Sequence, residues 1–587
     1  MPDRTLLLSH FYVKLNGSDA PQDFMLDLLE VTVESSLHLP DVATLVLHDT
    51  TLKWVDDARL APGKTVEVIA KIGNQEAPVF DGEIVELEPK FEPSSLSLVV
   101  RAFDRLHRLA RGRQARSFQG VTDGDLVQKL AGEAGLQSQS GSTPQVFDYV
   151  FQANETNLEF LQKRAVRLGY LLYVREKTLH FEKPQSTGGA IDLKWSENLR
   201  EFQPRMTTVD QVTDVTVRGW DPESKQPIVG QAQTGQGTPQ TGLGTNGGQT
   251  AQTAFNLSAP HLVTDRPFYN QGEADRRAQA EANLRASRFV EAEGKCDGNP
   301  MVVAGASVNV SGVGTRFSGT YFVTSAIHNF ASAEGYTTQF SVSGLHQTTL
   351  ISLMAPEQEA VPTAGLVIGV VTDNQDPKGQ GRVKVKYPWL TNDHASDWAR
   401  LVAPGAGPDR GVEFLPEVND EVLVGFEQSD VHHPFVLGGL WNGQDAPPKK
   451  SNQVISGGKV EQRIIKSRSG HIVTLDDTSG SEQISIVDKT GSNKIVIQSS
   501  NNSMQINVDG DLTIEAKGKV SIKGTTGVDV KSDAQLNMEG TSGVDVKSSA
   551  QLNLEGTAGA TVKNGTGAQV ALSGPSVSLN NGALEVM

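Results

Sequence analysis

Ser503–Gly574 reads SMQINVDG, DLTIEAKG, KVSIKGTT, GVDVKSDA, QLNMEGTS, GVDVKSSA, QLNLEGTA, GATVKNGT, GAQVALSG, which is nine consecutive octads. Positions two and four carry the apolar residues: Leu512/Ile514, Val520/Ile522, Val528/Val530, Leu536/Met538, Val544/Val546 and Leu552/Leu554. Position three is mostly polar, and the last positions are turn formers or Lys. Each octad therefore spells a short strand with one apolar face and then a turn. One octad cannot bury two inward side chains alone, and its backbone edges need a strand on either side. Stacking at about 4.8 Å per layer answers both needs and makes a rod of roughly 40–45 Å. Two closures fit: a single-chain coil of three octads, or three chains that each supply one side of a triangular prism. The best copies, Gly527–Ser542 and Gly543–Ala558, lie two octads apart, whereas a coil predicts a spacing of three, so the pattern favours three chains. A low-complexity linker would not hold apolar alternation in register.

Working outward, 587 residues imply several domains, and 58 Gly with 37% apolar content point to β-structure rich in turns. A net charge of −17 argues against nucleic acid or an anionic membrane as the main partner. The single cysteine, Cys296, excludes an intramolecular disulfide framework and suits a reducing compartment. No apolar run reaches the length of a membrane span, and the Leu6–Leu8 run is too short for a secretory signal.

From the start of the chain, alternation predicts strands at Phe24–Glu34, Ala43–Asp49, Thr65–Lys71, Gly82–Leu87 and Leu96–Phe103. The basic run Arg101–Arg116 reads as a solvated connection or a contact with an acidic partner. Helices follow at Asp123–Gly135 and Thr156–Gly169. The second opens on a Thr156-x-x-Glu159 capping box, places Phe160, Leu161, Ala165 and Leu168 inward, and leaves Lys163, Arg164 and Arg167 outside. Strands at Tyr170–Arg175 and Thr178–Glu182 complete an α/β unit. Gly230–Thr253 reads as a mobile Gly/Gln/Thr-rich loop, and Glu273–Glu291 as a helix ending at Gly294. Strands through Ala306–Ser343 return to barrel-like character. Five strands in Gly365–Gly443 are the size of an OB-fold barrel.

The segment Gly411–Gly443, GVEFLPEVNDEVLVGFEQSDVHHPFVLGGLWNG, resembles the signature of the VgrG and contractile-phage tail-spike family. The chain departs from it at Asn419-Asp420 and Ser429-Asp430, where the family commonly has Gly-Asp. Asn tolerates the left-handed turn required there. The resemblance implies a mainly β, multidomain chain: two barrel-like hub domains with an α/β insertion, an OB-fold barrel and a C-terminal three-chain intertwined β-helix. The corresponding divisions are a hub barrel at 1–120, the insertion at 121–205 and a second hub barrel at 206–360 that includes helix 273–291. The OB-fold follows at 364–443, a linker at 444–459 and the β-helical needle at 460–587. The implied role is a structural trimeric spike of a contractile injection system, capping the inner tube at the baseplate centre and puncturing a target envelope. The implied partners are two further copies of the chain, a hexameric Hcp-like inner tube protein, baseplate proteins and a PAAR-type tip protein. Assembly would be cytoplasmic, with delivery to or across the target envelope on firing. The twelve octad residues named above would form the trimer core. Val577, Leu579, Leu584 and Val586 would seat the tip. A trimeric fibre or adhesin using the β-helix as a stalk is the alternative.

Catalytic motifs are absent: there is no Ser/His/Asp order, HExxH or Walker sequence, so no catalytic residue, cofactor site or metal site is assigned. His432-His433 leads into Pro434, and adjacent histidines on an extended chain point apart. The short Gln444–Lys459 linker is too small for an enzyme domain, and the expected chain is a spike with no catalytic domain.

Overall fold

The structure is a computed structural model. It describes residues 9–579 apart from 38, 73–74, 94, 185–188, 222–223, 234, 236–239, 265, 269, 332–334, 345–364, 392 and 574–575. It divides into two units, Met1–Pro447 and Pro448–Met587.

The first unit is built on one eleven-stranded antiparallel sheet. Residues from both ends of the hub sequence meet in it, because Leu28–Ser36 pairs with Ser325–Ala331 in the register Val31–Phe330 and Val33–His328. Strict alternation produces this sheet: Val31 and Val33, then Ala43, Leu45 and Leu47 on the next strand, all point into one core. Phe24 meets Trp54 edge-on there, at 5.2 Å between ring centroids. Phe330 and Tyr336 complete the same core from the far end of the hub sequence. Phe24 is not on a strand, as the sequence suggested. Gln22–Asp27 is a short helix, and strand begins only at Leu28.

The insertion packs helices Asp123–Glu133 and Asn157–Leu168 on short strands around Leu126, Leu130, Leu161 and Phe181. Both helices open on capping boxes, Thr122 with Asp125 and Thr156 with Glu159. Gly169 ends the second in the left-handed conformation, at φ 65°. Arg164 is buried, contrary to the amphipathic reading. Its Nε donates to Asp123 at 2.5 Å and its guanidinium lies over Phe147, so a partner across the helix pair draws it inward.

Two further expectations change. The Gly/Gln/Thr-rich stretch is not a loop throughout, since Gly247–Phe255 is a helix capped by the Asn246 side chain, which accepts from Gln249 N–H. The long helix spans Gln271–Ser287 and stops before Gly294. Gly294 sits instead in strand Val290–Asp297 beneath the Phe340 ring, where a Cβ would not fit.

The OB-fold region is a five-stranded sheet in the order Lys384–Lys386, Val367–Asp373, Glu421–Phe426, Pro434–Gly439 and Arg400–Leu401. Val371, Val385, Val422, Val424 and Val436 fill its core. Asn419 takes φ 78° and Ser429 φ 64°, so both positions that depart from Gly-Asp adopt the left-handed conformation.

The second unit begins with a five-stranded antiparallel meander: Gln462–Lys466, Ile472–Asp476, Gln483–Val487, Lys494–Gln498 and Ser503–Asn507. From Val508 to Gly559 no residue belongs to a hydrogen-bonded strand or a helix. The backbone there bends at 509–510, 517–518, 525–526, 533–534, 541–542, 549–550 and 557–558, once every eight residues. Ala560–Lys563, Gln569–Ser573 and Ser576–Leu579 then pair antiparallel. The first octad thus belongs to the meander and the last two to a terminal sheet, leaving six without a strand partner among the described residues.

Candidate functional site: an uncovered apolar face

In the meander, register decides which side chains share a face. Ile465 pairs with Val473, Val473 with Ile486, Ile486 with Ile495 and Ile495 with Ile506. Two residues along, Leu475, Ile484, Ile497 and Met504 form a parallel row on the same face. The opposite face is more polar, its central row being Ile464, Thr474, Ser485, Val496 and Gln505. Among the described residues of the second unit nothing covers the apolar side: Ile486 is 50% exposed and Met504 59%. The sequence reading began its repeat at Ser503 and missed this face, although the alternation in Ile472–Leu475 and Ile484–Val487 carries the signal.

The octads continue the pattern. The twelve residues expected in a trimer core form no core within the single chain. At position two, Leu512, Val520, Val528, Leu536, Val544 and Leu552 are 49–57% exposed. At position four, Ile514, Ile522, Val530, Met538, Val546 and Leu554 are more open still, at 58–76%. The physical reason is that an octad has two apolar side chains and no strand beside it in its own chain, so nothing can close over Ile514, Ile522, Val530 or Met538.

Side-chain contacts define the other side of the segment. Lys547 reaches Asp545 at 3.4 Å, and Gln551 Nε2 donates to Asn553 Oδ1 at 2.7 Å. Positions one, three and five therefore share one face, and two and four the other. The corners alternate in kind. Gly524, Gly540 and Gly556 each turn so tightly that a Cβ would collide with the carbonyl of the residue three further on. At the intervening corners Ser532 and Ser548 side chains accept from the N–H of Ala534 and Ala550. Of the four residues assigned to the tip seat, Val577 and Leu579 lie on the strand Ser576–Leu579. Leu584 and Val586 lie outside the described residues.

In the first unit the residues with the most conspicuous chemistry are engaged in structure. The arginine run is engaged in ion pairs within the chain, although Arg111 and Arg113 remain exposed to solvent. Arg105 pairs with Asp81, Arg108 with Glu83, Arg113 with Glu159 and Arg116 with Glu133, tying the first barrel region to the insertion. His432 and His433 do not diverge, because the chain at 431–433 is a turn. Their Nδ1 atoms lie 2.7 and 3.3 Å from the Asp430 carboxylate. His432 Nε2 meets the Phe151 carbonyl at 3.1 Å, and Phe151 itself is part of the OB core. Burial alone would raise the Asp430 carboxyl, but His432, His433 and Arg167 outweigh it and hold it well below the usual carboxylate range. These groups join the OB barrel to the insertion. Cys296 is fully buried, and burial pushes its thiol up to about 12. Among the described residues, no group of three or more His, Cys, Asp or Glu is placed to hold a metal ion.

Comparison with known proteins adds to this geometry. Residues 6–332, more than half of the chain, match the family described as Alg8 N-terminal domain. Residues 367–441 match the type VI secretion system/phage-baseplate injector OB domain, which coincides with the five-stranded OB sheet. The type VI secretion system spike protein VgrG3 of Vibrio cholerae is 22% identical over 426 residues, covering 65% of this chain and 39% of its own length. The chain belongs to the Alg8 N-terminal domain family and is similar to VgrG spike proteins.

The chain also resembles the actin cross-linking toxin VgrG1 of Vibrio cholerae, 22% identical over 198 residues, which are 33% of this chain and 18% of the toxin. The chain thus spans well under half the length of these two curated relatives. Among solved structures, a chain of the Francisella PdpA–VgrG complex shares the fold, with a TM-score of 0.52 at 9% identity over 86% of this chain and 81% of that chain. No helix among the described residues is long and apolar enough to cross a membrane.

Proposed function

We propose that three copies of this spike intertwine through the Leu512–Leu554 octads into a β-helical needle. In this reading the hub caps a hexameric inner tube at the centre of a baseplate, and the needle is driven through a target envelope while carrying a PAAR-type tip protein on its last strands. Assembly would take place in the cytoplasm, with delivery on firing. The role is mechanical and needs no catalysis.

One observation carries the reading: exposed apolar side chains on one face of the meander and on six octads, with no strand partner among the described residues from Val508 to Gly559. Its most open residues, Ile514, Ile522, Val530, Met538 and Leu554, are those a needle core would bury. Unpaired backbone and uncovered apolar side chains are both costly in water. Three identical chains satisfy both at once, and a prism whose strands are all cross-paired has no free edge and resists bending. Light scattering on the full chain tests this directly. The expected mass is three times 63.0 kDa, or 189 kDa. A 63.0 kDa particle that retains its β-signal would overturn the proposal.

A further inference from the structure

We infer that the fifth octad position is a register code, a row of Lys and Glu that alternates at every step but one and fixes how neighbouring chains are staggered in the needle. The inference rests on the three-chain reading above and specifies it further. In the six unpartnered octads this position is Glu515, Lys523, Lys531, Glu539, Lys547 and Glu555, and all six are exposed. The Lys547–Asp545 contact puts position five on the polar face, away from Val544 and Val546.

The geometry of a threefold prism determines what these side chains meet. A chain that moves on by one side per octad returns to its first side after three, so two strands from the other copies fill the interval. Symmetry keeps equivalent octads at equal height. Every side is then a stack in which each octad lies against the next octad of another chain, about 4.8 Å away. Along such a stack Glu515 meets Lys523, Lys531 meets Glu539, Glu539 meets Lys547 and Lys547 meets Glu555. Only Lys523 and Lys531 are alike. Cross-strand neighbours of opposite charge attract, and like charges directly opposite repel.

The competing arrangements fit worse. A single-chain coil stacks each octad on the third one after it, which sets Glu515 on Glu539 and Lys523 on Lys547 and leaves only Lys531 opposite an unlike charge, on Glu555. Unstaggered strands set every charge against its own copy. A slip of one further octad gives two opposite pairs, Glu515 with Lys531 and Lys523 with Glu539, and two like pairs, Lys531 with Lys547 and Glu539 with Glu555, against four opposite and one like in the one-octad stagger. The apolar face carries the same message independently. Val528/Val530, Leu536/Met538, Val544/Val546 and Leu552/Leu554 alternate small and large, so the one-octad stagger seats each Val layer between larger layers.

Two charge variants of the full chain test this, followed by thermal loss of the trimer at low and at high salt. Glu539→Lys with Glu555→Lys makes the lower part of the row uniformly basic. Its trimer should melt several degrees below the natural one, with the gap closing in 1 M salt as screening shortens to about 3 Å. Adding Lys531→Glu and Lys547→Glu restores alternation and also removes the one like pair. This fourfold variant should melt at or above the natural protein. A natural protein that is monomeric would overturn the three-chain reading and the code together. A natural trimer whose two variants melt alike would overturn the code alone.

Discussion

Val424 and Val528 are the same residue in the same kind of alternating segment, yet Val424 is completely buried in the OB barrel and Val528 is 53% exposed in the octads. The difference lies in what the rest of the chain supplies. Glu421–Phe426 has strand neighbours on both sides, and core residues close over it from the same unit. The octad around Val528 and Val530 has neither. In the first unit, then, each strand is completed by its own chain. In the second, the same chemistry is left open, and in the proposed trimer stability there would be inseparable from association.

The strongest way to break this comparison is a charge on the open face. Leu552 is already 52% exposed in the single chain, so Leu552→Asp removes little from one copy. In an intertwined needle it would bring three carboxylates together in an apolar interior, at a cost of several kcal/mol each. The expected result is loss of the 189 kDa species with no change in melting of the first unit. Leu45→Ala is the mirror experiment. Leu45 is fully buried in the hub, and its truncation should cost that unit about 3 kcal/mol while leaving the trimer intact. If Leu552→Asp stays trimeric, the open face is not the one that other copies cover.

Acid sharpens the contrast. His328 is completely buried in the hub, with Nδ1 2.8 Å from the Tyr336 hydroxyl, and burial pushes its imidazole down to about 4. A base whose folded value lies below its unfolded value of about 6.5 contributes stability that is complete above that value. The contribution is lost as the pH falls through the folded value. Over that window the first unit should lose about 3 kcal/mol. Residues 472–587 contain no histidine, so no imidazole charges there over the same window. All six tryptophans lie before Pro448, so their fluorescence reports on the first unit and light scattering on the association. The fluorescence transition should soften between pH 6.5 and 4 in the natural protein and much less in His328→Gln.

The same contrast decides what could be read in the sequence. Where burial follows local periodicity, the reading held: Thr156 and Glu159 cap their helix, Gly169 ends it, and five strands make the OB sheet. Where a distant residue decides, it did not. Arg164 looked solvated because its partner Asp123 lies on another helix, and the arginine run looked free because Glu133 and Glu159 are remote in sequence. The strand assigned from Phe24 failed because Phe24 alternates correctly but packs from a helix onto Trp54. In the candidate site, the octads were plain because the repeat is local. Periodicity marks Ile514, Ile522, Val530 and Met538 as apolar-face residues, but what covers that face is not a property of one chain. The meander face was missed because strands joined by turns of unequal length show no fixed period.

The mildest test stays inside the needle and separates two kinds of corner. At Gly540 an added Cβ would run into the Gly543 carbonyl, whereas at Gly510 it would meet open space. Alanine at an open corner with ordinary dihedrals mainly restricts the unfolded chain, so Gly510→Ala should be neutral or stabilise by about 0.4–1 kcal/mol. Gly540→Ala must instead open the turn and should destabilise by more than that, about 1–2 kcal/mol per chain. In a threefold needle the three copies act at one level, so the melting of the trimer should fall for Gly540→Ala and hold or rise for Gly510→Ala. Equal melting of the two variants would mean that the corner at 541–542 relaxes when chains associate. The Gly540 and Gly556 turns would then belong to the open chain and not to the assembled needle.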